Sequence, residues 1–424
     1  MSAGAEAAEA DRTHPRFRDF AVRLALIVAG GAVLRVLYTV LLAPWPPGIP
    51  DDQIYFHLMP ELLADGRGFI QPLFAQLGQS RPTAAHPPFY SIVLAVPAEL
   101  GLTGQLAQRL LGTLFGCGTI VLTALIARRL AGERVALIAA GLAAVYPILI
   151  TSDGALMSES LYGLLVAGAL FVAYRLVDRA TWKGGLLLGL LVGAAALTRG
   201  EALILLVLVL IPVLRRPAGA KAAAVACLTM ALVLAPWTLR NFFAFDHVVL
   251  ISTDAGAVFA GANCDTTYFG TNLGGWDINC TTSYPGHNEA EETSRQLRDG
   301  LEYVSDHLGR LPVVAAARFA RGWGLYQPWQ ANPGRSSVVQ GAGTVMLWVL
   351  LPLAMYGLVI LRRRHISVWL ILVPVVTVTI TMVVIYGFMR FRQPAEMSLV
   401  ILAAVAIERL THRLRWSGPE PRAS

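Results

Sequence analysis

The chain has 424 residues, 55% hydrophobic and only 14% charged, against about 25% charged in an ordinary soluble domain. Together with a mean hydropathy of +0.58, this excludes a water-soluble globular protein and points to an all-α polytopic membrane protein. A net charge of +7 would suit a nucleic-acid partner. The cationic side chains, however, gather at the ends of apolar runs, which marks membrane topology and not a nucleic-acid face.

In chain order, residues 1–19 are polar and Ala-rich and are expected to be a disordered cytoplasmic tail. The apolar run 20–43 is long enough to span and reads as a signal anchor. A first long loop, 44–103, follows. It carries PDDQIYFH at 50–57, whose acids open a short amphipathic helix, and a proline-interrupted apolar stretch at 87–100 that reads as juxtamembrane or re-entrant. Further apolar runs lie at 104–127, 135–151, 158–177, 184–198, 201–214 and 222–239, the fifth and sixth forming a tight hairpin around Arg199 and Gly200. A second long loop, 240–340, separates these from the last runs at 341–361, 366–388 and 394–408 within 341–410. A cytoplasmic tail, 411–424, closes the chain.

If 87–100 does not cross, every Arg cluster between spans falls on one side, as the positive-inside rule requires. The expectation is therefore about ten spans with both termini cytoplasmic. Both long loops and the turns at 152–157, 199–200 and 389–393 then lie on the extracytoplasmic side of the plasma membrane. Cys264 and Cys280 of the second loop are then in a compartment that permits a disulfide, worth about 3 kcal/mol for a loop of this size. The alternative is two free thiols.

The same topology gathers charge on one surface: Asp51, Asp52, Tyr55, His57 and His86, then Asp153 and Glu159, Arg199 and Glu201, and Arg390 and Arg392 in GFMRFRQP. One acid suffices to cap the helix at 52, so the second of the Asp pair has a role to fill. Arginines grip phosphate where water is scarce, and a nearby carboxylate can accept a hydroxyl proton. Arg35, inside the first run, is either functional or snorkels to the surface. Arg240 is an anchor or a phosphate ligand, and Trp276, between the cysteines, could stack on a sugar.

Asp51-Asp52-x-x-Tyr55, HPPFYSIVLAV at 86–96, the acid-bearing turn before SESLYGLL and MRFRQP at 389–394 together resemble the membrane glycosyltransferases of the GT-C fold. Among these the chain resembles the protein O-mannosyltransferases and the lipid A aminoarabinose transferases. The likeness runs through residues 20–215 and extends to the last spans. Two positions depart from the family pattern: Asp-Asp replaces Asp-Glu, and His86 stands where a phosphate-binding lysine is usual, so that Arg81 or Arg199 would have to supply that charge. The resemblance implies a helical bundle with juxtamembrane helices and two extracytoplasmic loops. It also implies a polyprenyl-phosphate sugar donor and an inverting transfer to a glycan, lipid or protein acceptor. In that scheme Asp51 is the general base, and Glu159 acts on the acceptor or sugar. Asp52, Tyr55, His86, Arg199, Arg390 and Arg392 bind substrate, and Asp52 with His57 could hold a divalent metal (Mg or Mn). The rival expectation is a transporter or flippase of a lipid-linked sugar.

Overall fold

The computed structural model describes residues 3–43, 52–329 and 336–416. Asp51 lies outside the described residues. All ten apolar runs are helical, and among the described residues the backbone forms no strand beyond a single bridge between Ile70 and Pro82. Among the described residues five helices have the length and hydropathy to cross a membrane: Asp19–Leu41 within the longer helix Ala3–Leu41, then Gln105–Ala131, Glu159–Asp178, Gly219–Phe245 and Ser337–Arg363. The first helix begins at Ala3, where the high helix propensity of alanine suits a helix start.

The run 135–151 is a bent pair, Glu133–Val145 and Pro147–Gly154, meeting at 54°. Tyr146 is extended and Pro147 opens the second helix, because proline lacks a donor and disfavours helical backbone in the residue before it. The bend turns Asp153 inward. Four shorter apolar helices complete the set: Phe89–Ala98, Trp182–Ala196, Ala202–Leu214 and Trp369–Val384. Thirteen residues rise about 20 Å, short of a ~30 Å hydrocarbon core. The hairpin expected around Arg199 and Gly200 is present between two of these helices. The last helix, Gln393–Trp416, runs through the middle of the bundle with Ala395, Met397 and residues 399–406 buried.

Arg35 is fully buried and neither lines a site nor snorkels. Its Nε donates to Asp153 Oδ2 at 2.7 Å, and its Nη atoms reach the carbonyl oxygens of Gly31, Ala143 and Ala144 at 2.9–3.2 Å. Ser160 donates to the other Asp153 oxygen at 2.5 Å. Gly116 makes room for the pair, since a Cβ there would stand 2.1 Å from Asp153 Oδ2. A charge in this apolar setting needs its partner, so the pair clamps the first helix to the bent one.

The two long loops are stitched together. Arg240 donates to the carbonyls of Thr83 and Phe69 at 2.8 and 2.5 Å, which makes it an anchor of the first loop. Glu289, at the start of helix Glu289–Asp306, accepts from Gln71 Nε2, Ala84 N and Thr253 Oγ1 at 2.6–2.9 Å. Thr253 N donates to Ala84 O at 2.9 Å. The disulfide Cys264–Cys280 is formed, with Cα atoms 6.2 Å apart, closing a loop that contains Trp276.

Candidate active site

A cavity of about 1800 Å³ opens where the stitched loops meet the bundle. Its wall is polar at one end, with Asp52, His86, Arg199, Glu201, Asp254 and Arg390, and apolar along helices Ala202–Leu214 and Trp369–Val384, through Leu203, Ile204, Ile380 and Val384.

Five segments distant in sequence deliver the polar end, Asp254 coming from the second loop. Asp52 begins helix Asp52–Ala64. His86 sits in the Pro-rich turn before Phe89–Ala98, Arg199 at the hairpin tip, and Arg390 on the short 3-10 turn Met389–Arg392. Arg390 Nη1 donates to Asp52 Oδ2 at 3.2 Å, and its Nε is 3.7 Å from Glu159 Oε1. Arg199 Nη1 donates to the same Glu159 oxygen at 3.4 Å, while its Nε donates to Glu201 at 2.6 Å. Both guanidinium groups lie against the Phe391 ring, at 5.0 and 5.6 Å. Glu159, 1% exposed, lies beneath the two arginines and not in the open wall. It holds two like charges side by side facing the cavity, a geometry that isolated arginines would resist.

His86 bridges the two loops. Its Nδ1 is 3.1 Å from Asp254 Oδ2 and its Nε2 is 3.7 Å from Asp52 Oδ1. Its ring packs edge-on to Tyr55 at 4.5 Å. The Tyr55 hydroxyl has no hydrogen-bond partner among the described residues. Burial, with Glu289 and Asp254 adding, raises the phenol above its ordinary value. The two acids beside His86 diverge. Burial alone would raise the Asp52 carboxyl, but Arg390, His86 and Arg199 outweigh it and hold the group below its ordinary value. Asp254 is pushed up to about 6 by burial, with the Asp52 and Glu289 carboxylates adding and His86 opposing. A carboxyl poised there exchanges its proton near neutral pH.

The structure therefore brings together Asp52, Tyr55, His86, Arg199 and Arg390, with Glu159 behind them. Arg392, expected beside Arg390, is not among them. It is fully buried, ion-paired to Glu396 and donating to Gly322 O at 2.8 Å. Glu396 in turn accepts from Tyr146 at 2.9 Å. This is a core lock between the last helix and the bend. His57 does not join Asp52 either. Five positions along a helix turn a side chain to a different face, and His57 Nδ1 lies 2.8 Å from Gln108 Oε1. Among the described residues no three His, Cys, Asp or Glu side chains converge as a metal site would need. Arg81 lies over the Phe74 ring at 4.1 Å and is not among the cavity's lining residues. Asp254 and Tyr386 also line the cavity. Asp254 precedes the apolar AGAVFAGA helix and reads in sequence as a simple start signal.

The helical bundle, with acids and arginines gathered at one end of an apolar-walled cavity, is similar in fold to solved membrane glycosyltransferases of the GT-C class. The family model described as dolichyl-phosphate-mannose-protein mannosyltransferase matches residues 85–240, from the His86 turn through both arms of the Arg199 hairpin. Among solved structures, the archaeal oligosaccharyltransferase AglB from Archaeoglobus fulgidus, in complex with an inhibitory peptide and a dolichol-phosphate, superposes with a TM-score of 0.54 at 16% identity. That match covers 95% of this chain and 52% of AglB. The same organism's oligosaccharyltransferase in complex with Zn and sulfate gives 0.54 at 13% identity, covering 92% and 50%. ArnT from Cupriavidus metallidurans, bound to undecaprenyl phosphate, gives 0.43 at 18% identity, covering 91% and 78%. The chain thus spans about half the length of the archaeal structures it matches. No curated protein matches it in sequence.

Proposed function

We propose that this protein is an inverting glycosyltransferase that moves one sugar from a polyprenyl phosphate to an acceptor on the extracytoplasmic face. The observation that carries the proposal is the shape of one cavity's chemistry. Two arginines share a buried carboxylate at its polar end, and apolar helices continue from them. An amphiphile with an anionic head and a long apolar tail matches both ends. A soluble nucleotide sugar would leave the apolar wall unused. AglB, of the same fold, has been captured with a dolichol-phosphate.

In this mechanism the donor phosphate binds Arg199 and Arg390, and its tail runs along Leu203, Ile204, Ile380 and Val384. The acceptor hydroxyl oxygen attacks the anomeric carbon from the face opposite the phosphate. The bond from the anomeric carbon to the phosphate oxygen breaks, and its electron pair stays on the phosphate. The two guanidinium groups stabilise the charge that develops there. Asp51 takes the acceptor's proton as general base. Asp52 and Glu159 hold Arg390 in place, and His86 orders the polar end between Asp52 and Asp254. No step is routed through a divalent metal, because Asp52 and His57 face different partners.

The test is release of undecaprenyl phosphate by the purified protein from undecaprenyl phosphates carrying mannose, glucose, galactose or arabinose, with wild type beside Asp51→Asn and Arg199→Ala. Release that both substitutions abolish supports the mechanism. Release retained in Asp51→Asn moves the base elsewhere. Tight donor binding with no release from any donor refutes transfer and favours transport.

A further inference from the structure

From the arginines, a row of aromatic rings crosses the cavity wall toward the second loop. Phe391 lies under both guanidinium groups. Tyr386 packs against it at 4.9 Å. Trp276 follows, 6.3 Å from Tyr386 and tilted only 31° from its plane. All three line the cavity.

The Trp276 indole is held rigidly. Its Nε1 donates to Ala257 O at 3.2 Å and its carbonyl accepts from Asn272 at 2.9 Å. It lies so close to helix Ala255–Ala262 that a Cβ on Gly261 would stand 2.3 Å from Nε1. The disulfide Cys264–Cys280 closes the loop around it. Ala257 is one turn from Asp254, whose carboxylate also faces the cavity. A fixed indole and a carboxylate on the same cavity wall combine an apolar face with a polar acceptor. A lipid tail needs no such acceptor. A sugar ring has both complements, with a C–H face for the π-cloud and hydroxyls for the acid.

We propose that Trp276 and Tyr386 form the platform on which the sugar ring of the donor lies, with Asp254 accepting from its hydroxyls. This rests on the donor class proposed above and goes beyond it, assigning the sugar-selecting residues. The order along the wall is that of the ligand: tail on the apolar helices, phosphate on Arg199 and Arg390, sugar on Tyr386 and Trp276. Sugar preference is then set by the second loop and the turn that carries Tyr386, both outside residues 85–240 that match the family model.

The experiment compares binding of bare undecaprenyl phosphate with that of the best-bound glycosylated undecaprenyl phosphate from the panel above, in wild type, Trp276→Leu and Trp276→Phe. Trp276→Leu is expected to weaken the glycosylated ligand roughly tenfold and leave the bare lipid phosphate unchanged, which also shows that the cavity is intact. Trp276→Phe keeps an aromatic face and is expected to recover most of the loss. Equal weakening of both ligands, or no change in either, overturns the platform. Failure of wild type to bind any polyprenyl phosphate overturns instead the donor class itself.

Discussion

Replacing Arg390 with alanine removes the cation that faces both Asp52, at 3.2 Å, and Glu159, at 3.7 Å. It takes one of two guanidinium groups from the proposed phosphate site and leaves the Asp52 and Glu159 carboxylates with one cation fewer. A hydrogen bond to a charged group contributes about 1.5–3 kcal/mol, and a donor aimed at developing charge about 2.7–4 kcal/mol. The expected loss in kcat/KM is therefore about 3 kcal/mol, or roughly a hundredfold. It should fall mainly on kcat, because the phosphate gains charge as it leaves. Arg390→Lys should recover only part, since an ammonium cannot span two oxygens as a guanidinium does. The assay is steady-state release of undecaprenyl phosphate, run alongside thermal melting in detergent to show that the variant is folded. A kcat/KM within threefold of wild type in a folded Arg390→Ala protein would refute Arg390 as a phosphate ligand. A second readout follows from Asp52. Its carboxyl is held below its ordinary value of 3.8, so its ionised form stabilises the fold above that value, and the contribution is lost as pH falls through the folded value. Without Arg390 the opposing effect of burial gains ground, and the acid limb of the melting profile should move to higher pH.

Two further outcomes test the surrounding structure. Asp153→Asn leaves Arg35 buried without its counter-ion and should cost about 3–5 kcal/mol, seen as a large fall in melting temperature. An Arg35→Met, Asp153→Leu double variant should regain much of it, and a single variant as stable as wild type would sink the clamp. Asp254, raised to about 6, makes the folded state hold a proton that the unfolded chain has released, so stability should decline as pH rises from about 4 to 6. Asp254→Asn should flatten that decline in a pH-dependent melting series, and an unaltered slope would show that another group sets it.

Hydropathy made the helices legible, because an apolar run of this length has few other stable forms in a bilayer. Cys264 and Cys280 were legible once the second loop was set on the far side of the membrane. The bend at Tyr146-Pro147 was written in the sequence as a break signal, but the run around it is apolar enough to pass for one span. Arg390 and Arg392 could not be told apart in MRFR. Two positions along a tight turn face different ways, and only Glu396, one helical turn past Arg392, tips that residue into the core. Asp254 was hidden because an acid before an apolar helix has an ordinary explanation. Its partner, His86, lies 168 residues away and comes near only when the two loops are stitched. Arg35 and Asp153, 118 residues apart, likewise become a pair only through the fold.

That separation has a consequence for how the chain is made. Until Asp153 has been synthesised, a nascent first span carries an uncompensated Arg35, six residues from the end of its helix, and a charge in hydrocarbon costs up to about 2.5–3.5 kcal/mol. At ~5–20 residues per second, the intervening 118 residues take on the order of ten seconds. Over that interval the first helix has reason to stay beside the insertion machinery and leaves it only with the helices that neutralise it. The clamp that holds the finished bundle together thereby also gives the first helix a reason to wait for the bent pair.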